Sequence, residues 1–86
     1  MFYVYILKSK SKVKWEYIGS TNDLKRRFHE HQEGISKYTS PYRPLYLMSY
    51  IAVNNEAKAR RLERYLKTGS GKAILKKRIL MDEALA

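Results

Sequence analysis

Tyr17-Ile18-Gly19-Ser20-Thr21-Asn22-Asp23-Leu24-Lys25-Arg26-Arg27 reads as the end of a strand, a tight polar turn and the first turn of a helix. Tyr17 and Ile18 suit a pleated, half-buried surface. Gly19 allows a sharp turn or a close backbone approach at the strand end. Thr21, Asn22 and Asp23 are all good helix N-caps, and Leu24 opens an apolar helical stripe. Leu24, Arg27, Phe28 and His31 fall at i, i+3, i+4 and i+7, so Arg27 and His31 share the inward face with the apolar residues. A cation aimed at the core side needs a partner or a task.

Working outward, Phe2 to Leu7 is continuously apolar and rich in aromatic and β-branched residues. That pattern predicts a central strand covered on both faces, with Tyr3, Tyr5 and Leu7 on one face and Phe2, Val4 and Ile6 on the other. Lysines alternate through Lys8-Ser9-Lys10-Ser11-Lys12-Val13-Lys14, a hairpin tip that, if extended, presents a basic comb. A hairpin centred on Ser11 would set Tyr5 opposite Tyr17 and Leu7 opposite Trp15. Ile35 to Pro44 is a loop in which Lys37, Tyr38, Tyr42 and Arg43 interleave bases with aromatics. This composition suits contact with nucleic acid and equally suits the surface of a basic protein. Leu45 to Ile51 alternates as a third strand, expected to pair with the first in the order 2-1-3. Asn54 or Asn55 caps a second helix running to about Lys67, with Ala59, Leu62, Glu63 and Leu66 on one stripe. Gly69-Ser70-Gly71 leads into a short third helix, with Ile74, Leu75 and Ile79 on its buried side and Lys72, Lys76, Lys77 and Arg78 on its wet side.

The fold class expected is α+β: a three-stranded antiparallel sheet flanked by helices, in one domain over residues 1–86. Eighteen Lys and Arg against eight Asp and Glu, together with eight tyrosines, favour nucleic acid as the partner, since cations neutralise phosphates and rings stack on bases. No apolar run is long enough to span a membrane. Met1 to Leu7 is too short and too aromatic for a signal peptide. Cysteine is absent, so disulfides and thiolate metal sites are excluded. A cytoplasmic location is expected, with no membrane partner and with a homodimer or a protein partner for targeting left open.

Tyr5, Tyr17, Arg27 and Glu63 are therefore directed at one region, with His31 beside them. One reading is an Arg27–Glu63 salt bridge flanked by two core tyrosines. The other is phosphodiester hydrolysis. Arg27 would bind phosphate with its planar fork, and Glu63 would hold a hard divalent cation. A tyrosine whose pKa is lowered by adjacent cations would act as base, and His31 would supply that positive field or take the proton itself.

Tyr3-Val4-Tyr5, then Tyr17-Ile18-Gly19, then Arg27, then Ala59-x-x-Leu62-Glu63 resembles the GIY-YIG nuclease superfamily, and most of all its small stand-alone domains similar to the N-terminal domain of excinuclease C. The resemblance covers nearly the whole chain. It implies endonuclease activity on DNA dependent on Mg²⁺ or Mn²⁺, with branched or damaged structures and a role in DNA repair as candidates. Tyr5 and Tyr17 match the two motif tyrosines, Gly19 the motif glycine, Arg27 the phosphate-binding arginine and Glu63 the metal ligand. Gly19, Lys37, Tyr38 and Arg43 are the expected nucleic-acid contacts. The chain departs from the pattern at Tyr3, which replaces the first motif glycine, and at Ser20, where a lysine often follows the second motif. In some members a histidine one turn past the arginine fills that lysine's place, as His31 would here. The alternative is a nucleic-acid-binding module of the same fold that does not turn over. A third option, favoured by charge alone, is an RNA- or ribosome-associated protein.

Overall fold

The structure, a computed structural model, describes residues 1–75. Three antiparallel strands, β1 (Phe2–Ser9), β2 (Glu16–Thr21) and β3 (Leu45–Val53), form one sheet in the order β2-β1-β3. Helix α1 (Leu24–Gln32) follows β2, and α2 (Glu56–Leu66) and α3 (Gly69–Ile74) follow β3. The continuous apolar run of β1 is explained by its place. Val4, Tyr5, Ile6 and Leu7 are all buried because the sheet is covered on both faces.

The two faces carry different cores. Val4, Ile6 and Ile18 pack with Ala59, Leu66 and Leu75 beneath α2 and α3. Tyr5 and Leu7 pack with Leu45, and around them lie Trp15, Tyr17, Leu24, Phe28 and Tyr42, under α1 and the loop that follows it. Strand β2 is an edge strand, and Glu63 of α2 reaches it through the Ser20 hydroxyl.

Local chemistry sets the boundaries. Asp23 caps α1 by accepting from the Arg26 amide, and Asn55 caps α2 by accepting from the Lys58 amide. The Gln32 side chain donates to the Leu45 carbonyl at 2.9 Å and accepts from the Leu45 amide at 3.1 Å. This pair ties the end of α1 to the start of β3. Thr68 caps α3, and a Cβ at Gly71 would run into the Tyr65 carbonyl, so glycine permits the close packing of α3 on the end of α2.

The structure differs from the sequence reading at four places. In the hairpin, Tyr5 pairs with Gly19 and Leu7 with Tyr17. The pairing is two residues from the expected one because Ser9 Oγ accepts from the Ser11 and Lys12 amides and folds the turn more widely. Lys8 is buried in β1, and residues 10–14 form bends and turns rather than strand, so no lysine comb forms. The loop after α1 contains a 3₁₀ turn, Ser40–Tyr42, started by Pro41. Ile74, expected on the buried side of α3, is exposed, whereas Leu75 is buried; Lys76, Lys77, Arg78 and Ile79 lie outside the described residues.

Candidate active site

Gly19 is the point on which the site closes. A Cβ there would lie 2.6 Å from Tyr5 Oη and 2.9 Å from Tyr17 Cε2, closer than packed atoms come. The missing side chain lets both tyrosine rings close over the backbone of the edge strand. The rings sit 6.3 Å apart, centroid to centroid. Tyr5 reaches this point from central β1 and is buried, while Tyr17, on β2 itself, is half-buried and lines an open cleft.

His31 arrives from the last turn of α1 and is fully buried. Its Nε2 lies 2.9 Å from Tyr5 Oη and its Nδ1 lies 2.8 Å from Thr39 Oγ1. Burial, reinforced by the Arg27 charge, depresses the His31 pKa to about 4, so the ring is neutral and has one donor and one acceptor. Burial likewise pushes the Tyr5 phenol up to about 12, with Tyr17 adding to the shift and Arg27 opposing it. Tyr5 therefore keeps its proton. The consistent arrangement is Tyr5 O–H donating to Nε2 and Nδ1–H donating to Thr39. The expectation that adjacent cations would lower this tyrosine is reversed, because at Tyr5 desolvation outweighs Arg27. A neutral His31 supplies no positive field.

Arg27 stands beside this cluster, half-exposed on α1. Its Nη1 donates to Glu30 Oε1 at 3.0 Å, an i,i+3 pair that helical spacing allows and that takes the place expected of Glu63. Burial would lower the Arg27 pKa, but Glu30 and Tyr5 raise it overall, so the guanidinium is a fixed cation. Arg26 is exposed and His29 is largely so, as their positions on the helix predict.

Glu63 comes from α2, on the other face of the sheet. Its Oε1 accepts from Ser20 Oγ at 2.6 Å and its Oε2 from Lys67 Nζ at 2.8 Å. Burial works to raise the Glu63 carboxyl, but the Lys67 and Ser20 hydrogen bonds outweigh it, and the group titrates below its ordinary range. The Arg27–Glu63 salt bridge is therefore not what holds these two residues: each has its own partner. Ser20 follows Gly19 in β2, so the Glu63 carboxylate lies one residue along the edge strand from the tyrosine pair, close enough that its charge is felt at Tyr5.

The edge of β2 thus gathers a phenol pair, a guanidinium and a carboxylate from both faces of the sheet. The sequence model of the GIY-YIG catalytic domain matches residues 1–78. The chain belongs to the GIY-YIG family. Members of this family are endonucleases, and they typically use divalent metal ions. The UPF0213 protein CPE1444 of Clostridium perfringens (strain 13 / Type A) is 38% identical over 68 residues, which is 78% of this chain and 71% of that protein. No solved structure gives a significant match. Within this GIY-YIG domain, Tyr5, Tyr17, Arg27 and His31 lie on one face of the sheet, and Glu63 reaches the β2 edge from the other through Ser20.

The residues expected to touch nucleic acid are placed unevenly. Tyr38 is 83% exposed and lines the cleft beside Tyr17. Lys37 is exposed. Arg43 turns away, donating to the Ser40 and Gln32 carbonyls and lining a separate hollow with Pro44. Gly19 serves the packing of the tyrosines. Thr39 and Trp15 carry no signal in the sequence: the first is an ordinary loop threonine until the fold brings it to His31, and the second reads as a strand residue.

The donor set also bears on a metal. Among the described residues no group of three His, Asp or Glu side chains could hold an ion, which rules out a closed cage built from them. One partly exposed carboxylate with a hydroxyl beside it fits a hard divalent cation that keeps several waters and takes its remaining ligands from phosphate. The Lys67 ammonium already at Glu63 Oε2 shows that the position attracts a cation. Among the described residues no helix is long and apolar enough to cross a membrane.

Proposed function

We propose that the chain, acting as a single domain over residues 1–86, is a metal-dependent endonuclease that hydrolyses DNA phosphodiester bonds at the edge of β2, in the cytoplasm. The observation that carries this reading is the close packing of Tyr5 and Tyr17 over Gly19, with Glu63 held one residue away through Ser20. A decayed binding module would have no need to keep a phenol, a guanidinium and an anion around one glycine.

The roles follow from burial and charge. Arg27 holds a non-bridging phosphate oxygen, displacing Glu30 from its guanidinium. Glu63 would hold a Mg²⁺ or Mn²⁺ ion, which supplies positive charge to the phosphate oxygens and the leaving oxygen. Tyr17, in its phenolate form, takes a proton from the attacking water as the water oxygen bonds to phosphorus and the P–O ester bond breaks, and the departing oxygen is protonated by solvent water. Tyr5 is unsuited to that step, since a phenol near 12 beside an imidazole near 4 retains its proton. Tyr5, His31 and Thr39 instead form a buried line of hydrogen bonds that fixes Tyr17 through ring contact; His31 and Tyr17 lie 5.4 Å apart, edge to face.

Single-stranded, duplex, flap and four-way DNA, each incubated with the pure protein and Mg²⁺, Mn²⁺ or EDTA, tests this reading. Metal-dependent nicking of at least one substrate, abolished in Tyr17→Phe, is expected. Binding to all four with no cleavage under any metal would leave a non-catalytic nucleic-acid-binding module.

A further inference from the structure

The cleft beside Tyr17 carries more aromatic surface than hydrolysis at Gly19 uses. Its volume is about 570 Å³. Trp15 and Tyr17 on β2 and its approach, and Tyr38 and Tyr42 on the later loop, line it together with Lys67 and Lys72 from the end of α2 and from α3. Trp15 and Tyr42 lie 4.3 Å apart with their planes 12° from parallel, and Trp15 and Tyr17 lie 6.4 Å apart at 16°. Three rings thus share one orientation, in a row that ends at Tyr17. Tyr38, 83% exposed, buries too little of its ring to matter for the fold.

A stack of this kind has two physical uses. It can anchor the loop to β2, which the face contact of Trp15 with Tyr42 already does. It can also extend to an added ring, and Tyr38 beside it is exposed and stacks on no other ring among the described residues. The added ring has a definable chemistry. Glu16 lines the cleft as well, and Lys67 is held by Glu63 at 2.8 Å, but Lys72 makes no ion pair among the described residues and gives the cleft a cation for a phosphate. A planar group attached to phosphate is a nucleotide, and base–aromatic stacking tolerates any base. A base inside a duplex has both faces covered by its neighbours and gains nothing here. An unpaired base gains fully.

We propose that this cleft is a stacking subsite for an unpaired nucleotide of single-stranded DNA, formed by Trp15, Tyr42 and Tyr38 with Lys72 on the phosphate. Its use as a substrate subsite rests on the nuclease reading above; its use in binding does not. The base next to the reacting phosphate lies against the ring row, and the backbone runs past Tyr17 towards Arg27.

Trp15 is the protein's one tryptophan, so its fluorescence reports directly on the cleft. Titrate the full chain, in EDTA, with a short oligothymidylate and with a blunt duplex of equal length. The single strand should quench Trp15 and bind more tightly than the duplex. Tyr38→Ala should weaken single-strand binding by about 5- to 100-fold, the range that one stacking partner supplies, with the melting temperature unmoved. Equal quenching and affinity for the duplex, or an unaltered affinity in Tyr38→Ala, would overturn the proposal. Cleavage assays with Mg²⁺ separate the two readings. A protein that cuts duplex and single strand alike with Trp15 undisturbed loses the subsite and keeps the nuclease. One that quenches on the single strand and never cuts keeps the subsite and loses the nuclease.

Discussion

Tyr5 Oη lies 2.9 Å from His31 Nε2, and both side chains are sealed from solvent, at 1% and 0% exposure. This bond divides the labour between the two motif tyrosines. Tyr5→Phe leaves a buried ring nitrogen without its donor, at a cost of about 1–3 kcal/mol, and should lower the melting temperature. Tyr17→Phe removes a hydroxyl at the open cleft. It should leave the melting temperature within error and reduce cleavage by roughly 10²-fold or more, the scale of a lost general base. Thermal melts and single-turnover rates on both variants check the division; a Tyr17→Phe protein that cuts at the wild-type rate would remove Tyr17 as the base.

His31 makes stability depend on pH in a fixed direction. Its folded pKa, about 4, lies below the unfolded value of 6.5. Between these values the unfolded chain binds a proton that the folded one refuses, so stability rises with pH. The contribution is fully present above about pH 6.5, is lost as pH falls towards 4, and changes no further below that. At about 1.4 kcal/mol per tenfold, the full span is about 3 kcal/mol. Urea unfolding of wild type and His31→Gln across this range measures it: the slope belonging to His31 should vanish in the variant. Equal slopes would place the titration elsewhere.

Gly19→Ala tests the packing of the tyrosine pair. The new Cβ would meet Tyr5 Oη at 2.6 Å, and Tyr5, buried between strands and helix, has nowhere to go. Overpacking of this kind costs about 1–3 kcal/mol. Because the displaced rings are those that frame the site, cleavage should fall further than stability does. Melting temperature and rate, measured together, separate the two; a variant of unchanged activity would mean that the ring positions are slack.

Most of the frame and half of the site are legible in the sequence. The unbroken apolar run of β1 marks a central strand, and the Leu24, Arg27, Phe28, His31 stripe marks the inward face of α1; both stand in the fold. The hairpin register differs from the expected one by two residues, yet Tyr5 and Tyr17 still share a face, because strand side chains repeat every two residues and an even slip preserves the face. The Arg27–Glu63 pairing fails for a different reason. Helical periodicity tells which side of a helix points inward but not which face of the sheet that helix covers. Arg27 and Glu63 sit on helices that cover opposite faces of the sheet, and each takes a partner of its own, Glu30 and Lys67. In the sequence His31 reads either as a source of positive field or as a proton acceptor, because its charge in water is balanced near neutrality. Full burial, invisible in the spacing, decides it as neutral.

Lys67 occupies the atom that a divalent cation would need, for Glu63 Oε2 accepts from its Nζ at 2.8 Å. Lys67 and a metal therefore compete for Glu63. An exposed i,i+4 pair of this kind is worth about 0.3–0.5 kcal/mol, so Lys67→Ala should leave the fold intact and tighten Mn²⁺ or Mg²⁺ binding by a few-fold. Glu63→Gln should also stay folded, since no buried arginine loses its partner and the amide oxygen still accepts from Ser20. It should bind DNA at least as well with one repelling anion fewer, and it should neither bind metal nor cut. Calorimetric metal titration, melting curves and a cleavage assay on the two variants decide the matter. Unchanged metal affinity in both would remove Glu63 as the ligand. A Glu63→Gln protein that unfolds would mean that the carboxylate is structural.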